Sequence, residues 1–226
     1  LRYAFSREEL SGYLNFSLRN DRRRLDLNGG RYVAQYNGEQ PILPIVNTFT
    51  TLFLERNLMK IYDRDFVDVR YRQNINPFLT VRTDWSWSDR SELFNASDFK
   101  LIDRKNIEGY TPNQPVNETL ADTSFPKNQA LIGSVGISAR PWLKFRIRNG
   151  SKRAIENSSP IITIDYRKGF DNLIGSDVDF DHVELGIKHE FRLGVKGTLD
   201  LWLRGGAFLN NTAMYFMDYK HFPGNQ

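Results

Sequence analysis

Residues 79–90 read LTVRTDWSWSDR, and alternate positions separate by chemistry. Leu79, Val81, Trp85 and Trp87 form one series, broken only by Thr83. Thr80, Arg82, Asp84, Ser86 and Ser88 form the other, and every member is polar or charged. A period of two is the signature of a strand, because successive side chains point to opposite faces of a sheet. A soluble sheet buries such an apolar face in a core. A membrane barrel turns it to lipid and keeps the polar face in a wet lumen. From this stretch alone both remain open.

The same split recurs along the chain. Val67, Val69 and Tyr71 alternate with Asp68, Arg70 and Arg72. Leu143, Phe145 and Ile147 alternate with Lys144, Arg146 and Arg148, and Ile162, Ile164 and Tyr166 with Thr163, Asp165 and Arg167. Glu184, Gly186, Lys188 and Glu190 interleave with Val183, Leu185, Ile187 and His189, and Asp200, Trp202 and Arg204 with Leu199, Leu201 and Leu203. Leu14, Phe16 and Leu18 do the same against Asn15, Ser17 and Arg19. This periodicity predicts about ten strands, over 12–19, 31–37, 46–53, 65–74, 78–90, 129–139, 141–149, 160–168, 181–192 and 197–208. Asn28-Gly29-Gly30, Asn37-Gly38, Asn149-Gly150 and Gly194–Gly197 read as turns between them. Helical periodicity is weak, and its best candidate is 52–62.

One connection differs from the rest. Residues 91–128 are rich in Asn, Pro, Thr, Ser and Asp and show little alternation. A loop of that length in a compact domain usually marks function or disorder, and barrels accommodate such loops on a rim. No domain boundary interrupts 1–226, so the chain reads as a single β-barrel segment.

Several predicted strands reach the ~9–11 residues that cross a bilayer, longer than the ~5–6 typical of soluble sheets. The fold expected is therefore all-β, an antiparallel transmembrane β-barrel. Its lumen would hold Arg70, Arg72, Arg82, Asp84, Lys144, Arg146, Arg148, Asp165, Arg167, Glu184, Lys188, Glu190, Asp200 and Arg204. Its lipid face would hold Val67, Val69, Val81, Trp85, Trp87, Leu143, Phe145, Ile162, Ile164, Leu201 and Leu203. The composition fits, with 16 Phe, 10 Tyr and 4 Trp to supply aromatic girdles. A mean hydropathy of −0.52 is also compatible, because half of each barrel strand faces water. No segment has the ~18 apolar residues of a spanning helix.

Later segments carry a family resemblance. The ending YFMDYKHFPGNQ (215–226) and the turn GSDVDFD (175–181) are its strongest elements, in order after NTFTTLFLERNLMKIYDRDFVDVRYRQN (47–74), RPWLKFRIRNG (140–150) and SPIITIDYRKGF (159–170). From about Leu10 onward the chain resembles the C-terminal barrel of a family of Bacteroidota outer-membrane proteins. Those proteins bear an N-terminal carboxypeptidase-regulatory-like domain, and their barrel is similar to BamA-like assembly and translocation barrels. The resemblance implies a bacterial outer-membrane location and contact with outer-membrane lipid and other outer-membrane proteins. It also implies a role in inserting or passing polypeptides, and a barrel that continues beyond these residues. The Val-Arg-Gly-Phe-type loop motif of BamA-like barrels is absent here. The two sidedness arguments disagree. Loop length puts 91–128 on the cell exterior, whereas counting hairpins back from 215–226 puts it in the periplasm.

Enzymatic chemistry has little support, and no cofactor is expected. With no cysteine, disulfides and thiolate metal sites are excluded. His189 falls on the apolar side of its strand and reads as a packed residue. His182 lies beside Asp181 and Glu184, yet no nucleophile in a diagnostic setting accompanies it. His221 belongs to the family-like ending. Asp177, Asp179 and Asp181 have the alternate spacing of a calcium loop, but His182 and Lys188 replace its glycine and final glutamate. Asn15, Asn95, Asn117, Asn157 and Asn210 begin Asn-x-Ser/Thr sequons, which a bacterial chain leaves unused. The net charge of +4, from 31 basic and 27 acidic residues, is spread along the chain. Its densest run, Arg22–Arg24, reads as a solvated turn, so no nucleic-acid partner is expected. A passive pore or receptor barrel, and a soluble secreted β-sandwich binding through the long loop, remain as alternatives.

Overall fold

Most of the alternating segments join a single antiparallel sheet. The computed structural model describes residues 1–4, 8–39, 42–97, 99–102, 110–115, 124–155 and 158–221. In chain order the elements are β1 (Arg2–Ala4), β2 (Glu9–Arg19), β3 (Arg23–Gln35), α1 (Pro44–Leu54), β4 (Ile61–Asn76), β5 (Leu79–Glu92), β6 (Asn128–Ala139), β7 (Lys144–Arg148), β8 (Ser151–Ile155), β9 (Ile161–Gly169), β10 (Asp179–Arg192) and β11 (Thr198–Ala213). The large sheet has the order β1-β2-β3-β4-β5-β6-β9-β10-β11, with the three-residue β1 at its margin. The other eight strands run from 9 to 16 residues. The sheet is not closed into a barrel, because β11 has no strand partner at its outer edge among the described residues. No helix among those residues is long and apolar enough to cross a membrane.

Three expectations need correction. Residues 46–53 form a helix, not a strand. Their Thr/Phe/Leu content suits either period, and Pro44 at the first helical position sets φ for a helix. The helix ends at Glu55, in the left-handed conformation with φ 58°, so it also stops before most of 52–62. Second, Asn28-Gly29-Gly30 is not a turn but lies inside β3, opposite Asp68, Val67 and Phe66 of β4. Gly30 has φ 150°, and a Cβ there would stand 2.3 Å from the Gly12 carbonyl oxygen. Glycine permits that close approach of β2. The real turn is at Asn20, whose Oδ1 accepts from the Arg22 and Arg23 amides at 3.0 and 2.7 Å.

The third correction moves a strand out of the large sheet. Residues 141–149 do not join it, since β6 pairs directly with β9 while β7 pairs with β8 in a separate hairpin. Asn149 and Gly150 both have positive φ, at 51° and 73°, as a two-residue hairpin turn of the primed type requires. Lys144, Arg146 and Arg148 are therefore off the sheet's polar face. Leu143 and Phe145 are off its apolar face; Leu143 is buried beside the hairpin, and Phe145 packs edge-on against Phe78 at 5.6 Å.

The hairpin's removal also resolves the sidedness conflict. Four strands, not five, separate the 91–128 connection from the segment after β11. Both therefore lie at one end of the sheet, together with the β3–β4 and β9–β10 connections. The opposite end carries short turns and the β7–β8 hairpin.

Register divides the sheet into two faces. On one lie Val67, Val69, Val81, Trp85, Trp87, Ile162, Ile164, Leu201 and Leu203. On the other lie Arg70, Arg72, Arg82, Asp84, Asp165, Arg167, Glu184, Lys188, Glu190, Asp200 and Arg204. Loop residues pack on this second, inner face. Tyr36, Tyr62, Phe125 and Met217 form a buried cluster at the long-loop end, and Ala130, Val178 and Phe180 form a second. Among the described residues the outer face has no comparable cover. Leu14, Val67, Val135, Ile164, Leu185 and Leu203, one from each of six strands, are 45–84 % exposed.

Candidate functional site

The inner face carries many of the interacting charges, while Arg31–Asp63 and Lys168–Asp181 pair on the outer face toward the long-loop end. The segment after β11 turns back over it through a short 3-10 turn, Phe216–Asp218. Asp218 is fully buried and accepts from Arg90 of β5 at 2.9 and 3.0 Å. Arg167 of β9 donates to the Asp218 backbone carbonyl at 2.9 Å, and its guanidinium lies 3.9 Å from the carboxylate. The Tyr215 amide donates to the same carboxylate at 3.1 Å. One acid thus ties the end of the chain to two strands of the wall. A desolvated pair of this kind holds only with such additional hydrogen bonds.

A second group of charges lies beside the first. Glu39, just after β3, accepts from Arg204 of β11 at 3.1 Å and from Lys220 at 2.9 Å. Glu184 lies 3.7 Å from Arg204 and 3.3 Å from Lys220. β3 and β11 are far apart in the strand order, so this contact requires the sheet to curl around its inner face. The Lys220 hydrogen bond, with Arg204 adding to it, holds the Glu39 carboxyl below the usual carboxylate range. Burial lowers His221 and raises Tyr36. Burial also lowers Lys60, whose ammonium meets the Pro112 carbonyl, to about 8.

The loop residues around Glu39 and the segment 215–221 plug this end of the interior. Between this plug and the strands lies a cavity of about 520 Å³, lined by Glu39, Arg82, Asp165, His182, Arg204 and Lys220 among others. Gly136 lies between two of the lining residues, Arg82 and Asp165, in the register. A Cβ there would come within 2.3 Å of the Asp165 carboxylate. Without that side chain, Arg82 reaches across β6 to Asp165 at 2.6 Å.

The other singled-out residues have separate settings. Asp177 accepts from the Gln129 amide at 2.7 Å, Asp179 from Asn210 at 2.9 Å and Asp181 from Lys168 at 3.0 Å. The three carboxylates are committed to different partners, and no acidic or histidine group able to hold a metal occurs among the described residues. His182 is buried on the inner face against Phe208, at 4.6 Å between ring centres. His189 lies on the outer face against Phe191, and the His221 ring pairs with the Phe216 carbonyl at 2.8 Å. Trp85 stacks on Phe170, and the Trp87 indole donates to the Ile174 carbonyl at 3.3 Å, both near the long-loop end. Asn15 and Asn95 hydrogen-bond to Asn28 and the Thr111 carbonyl. Asn117, Asn157 and the closing 222–226 lie outside the described residues.

Sequence reasoning missed Asp218, Glu39, Lys220 and Arg90. Arg90 was available by parity, two positions beyond Ser88. The other three lie in loops, where no periodicity points to a partner.

Compared with known protein families, residues 1–226 match a family of unknown function, DUF5686, over its C-terminal domain. No curated protein and no solved structure matches the chain.

Proposed function

This chain belongs to the DUF5686 C-terminal domain family, and we propose that it forms a non-enzymatic outer-membrane β-barrel unit that assists insertion or passage of other polypeptides. One observation carries the membrane reading: an exposed apolar face spans eight long strands, while the charged face is turned inward around a plug. A soluble sandwich has the opposite need, since its apolar face must pack on a second layer. Strands of 9–16 residues also meet the bilayer's length requirement. In an outer-membrane barrel, short turns face the periplasm and long loops the exterior, so the plug is on the outer side.

The polypeptide role is supported by the edge of β11, which no strand covers among the described residues. Bare backbone N–H and C=O groups are not stable in lipid. That edge therefore takes up another strand, either to close the ring or from a polypeptide being inserted, by strand addition. A passive pore fits less well, because Tyr36, Tyr62, Phe125, Met217 and the Arg90–Asp218 pair fill one end of the interior.

Liposomes containing the purified protein test both parts. The account expects stable insertion and faster folding of an added, urea-unfolded outer-membrane barrel than in empty liposomes. An unchanged folding rate would overturn the assembly role. A chain that stays monodisperse without detergent would overturn the barrel. Low conductance in planar bilayers is expected, and a large steady conductance would restore the pore.

A further inference from the structure

At the short-turn end, four arginines occupy one row of the inner face. Arg19 of β2 stands directly opposite Arg24 of β3, Arg24 opposite Arg72 of β4, and Arg72 opposite Arg82 of β5. Like charges in directly opposed positions destabilise a sheet. Four in succession form a stripe about 14 Å long at the ~4.8 Å spacing of strands. The row continues through Gly136 to Asp165 and Glu184, so it is basic over β2–β5 and acidic over β9–β10.

Internal carboxylates neutralise this stripe unevenly. Arg24 pairs with Asp26 at 2.7 Å, and Arg82 with Asp84 and Asp165 at 3.1 and 2.6 Å. Arg19 and Arg72 have no ion-pair partner among the described residues, and neither do Arg22 and Arg140 at the adjacent rim. Two adjoining cavities of about 560 and 640 Å³ open here, and Arg22, Arg72 and Asn74 line both. One also presents the polar Thr80 and Ser138 and the apolar Phe78 and Ile161.

We propose that this arginine row is a binding site for an acidic segment of a polypeptide at the short-turn mouth of the interior. Guanidinium forks match carboxylates in geometry as well as charge. The stripe's length exceeds a single small anion. Its amide, hydroxyl and apolar neighbours suit the backbone and side chains of a peptide. The proposal deepens the polypeptide-handling reading and rests on it, because it supplies the first contact for a client or partner approaching from the periplasmic side.

The test uses the full chain in a zwitterionic detergent and a fluorescein-labelled decapeptide bearing four glutamates. Fluorescence anisotropy should show binding that weakens steeply with salt, as exposed charge contacts do. The same peptide with glutamine should bind at least tenfold more weakly. The R19Q/R72Q double variant should lose at least tenfold in affinity, while R72K retains most of it. Without peptide, R19Q/R72Q should melt no lower than the parent, because it removes repulsion, so weak binding cannot be ascribed to unfolding. Equal affinity for the glutamine peptide, or full affinity in the folded double variant, would overturn the site. Stronger binding of inorganic pyrophosphate than of the peptide, measured by competition, would overturn the polypeptide assignment. Insertion of each variant into liposomes is scored separately. A parent that inserts but does not bind the peptide counts against this site alone, and a parent that does not insert counts against the barrel.

Discussion

Arg90 and Asp218 lie 128 positions apart, and the Arg90 Nη1 donates to both Asp218 carboxylate oxygens, at 2.9 and 3.0 Å. Their side chains are 4 % and 0 % exposed. Removing one member of such a pair leaves an uncompensated buried charge, at a cost of about 3–5 kcal/mol. D218A should therefore lower stability to denaturant by about that amount. R90M/D218L should recover part of it, because Arg167 still faces the site. A double variant less stable than D218A would contradict the assignment of this cost to the stranded charge.

The two faces should respond differently to one substitution. Val69 sits midway along β4 on the outer face, and Ser86 lies on the inner face of the adjacent β5. If the outer face meets lipid, V69R should cost about 2–4 kcal/mol of folding stability in bilayers. S86R adds its charge beside the buried Asp68 carboxylate, which Ser86 contacts at 2.6 Å and which can pair with it, and should cost less than V69R does. Folding titrations in lipid vesicles measure both, and equal losses would contradict the face assignment.

Lys60 gives the long-loop end a pH dependence. Its folded-state pKa, about 8, lies below the ordinary 10.5. The unfolded chain holds more protons between those values, so this group's contribution to stability rises as pH climbs from about 8 to 10.5. Below about 8 the charged form carries its full burial penalty. K60M should consequently melt above the parent at pH 7 and lose that advantage by pH 10.5. A difference in Tm that is constant across this range would contradict the burial argument.

The β7–β8 hairpin should be dispensable for the large sheet, because β6 and β9 pair with each other along eight registered positions without it. Replacing residues 144–155 with a short glycine-serine linker should preserve the far-ultraviolet circular dichroism minimum of a sheet. It should also preserve heat-dependent migration on gels. Loss of both would show that the hairpin holds the sheet together.

Much of the sheet could be read from the sequence, because side-chain alternation reports a face directly. Val67 and Arg70 fall on opposite sides in the structure as their parity requires. Alternation does not report partners. Phe145 and Arg146 alternate as well as Trp85 and Ser86 do, yet they belong to a five-residue strand in a separate hairpin. Only the Asn149-Gly150 turn hinted at this, and the brevity of the following strand hid it. At 46–53 β-branched and aromatic residues fit a strand, and Pro44 was the helix signal that outweighed them. The arginine row was invisible because it depends on register. Arg22–Arg24 looked like a solvated turn until the Asn20 turn and β3–β4 pairing brought Arg24 opposite Arg72. Asp218 and Glu39 act from loops, where only the folded sheet creates their partners.

The central claim is that lipid covers the outer face and water the inner one. Single nitroxide labels at Val69, Val135, Ile164 and Leu185 on the outer face, and at Ser86, Ser134, Thr163 and Gly186 on the inner face, test it in liposomes. Electron paramagnetic resonance then compares collision with oxygen, which concentrates in lipid, against collision with a water-soluble nickel chelate. The account predicts high oxygen and low nickel accessibility at the first four positions. At the second four it predicts lower oxygen accessibility, with nickel reaching those that the plug leaves open. Nickel accessibility at the outer-face positions equal to that of a label in an exposed turn would contradict it.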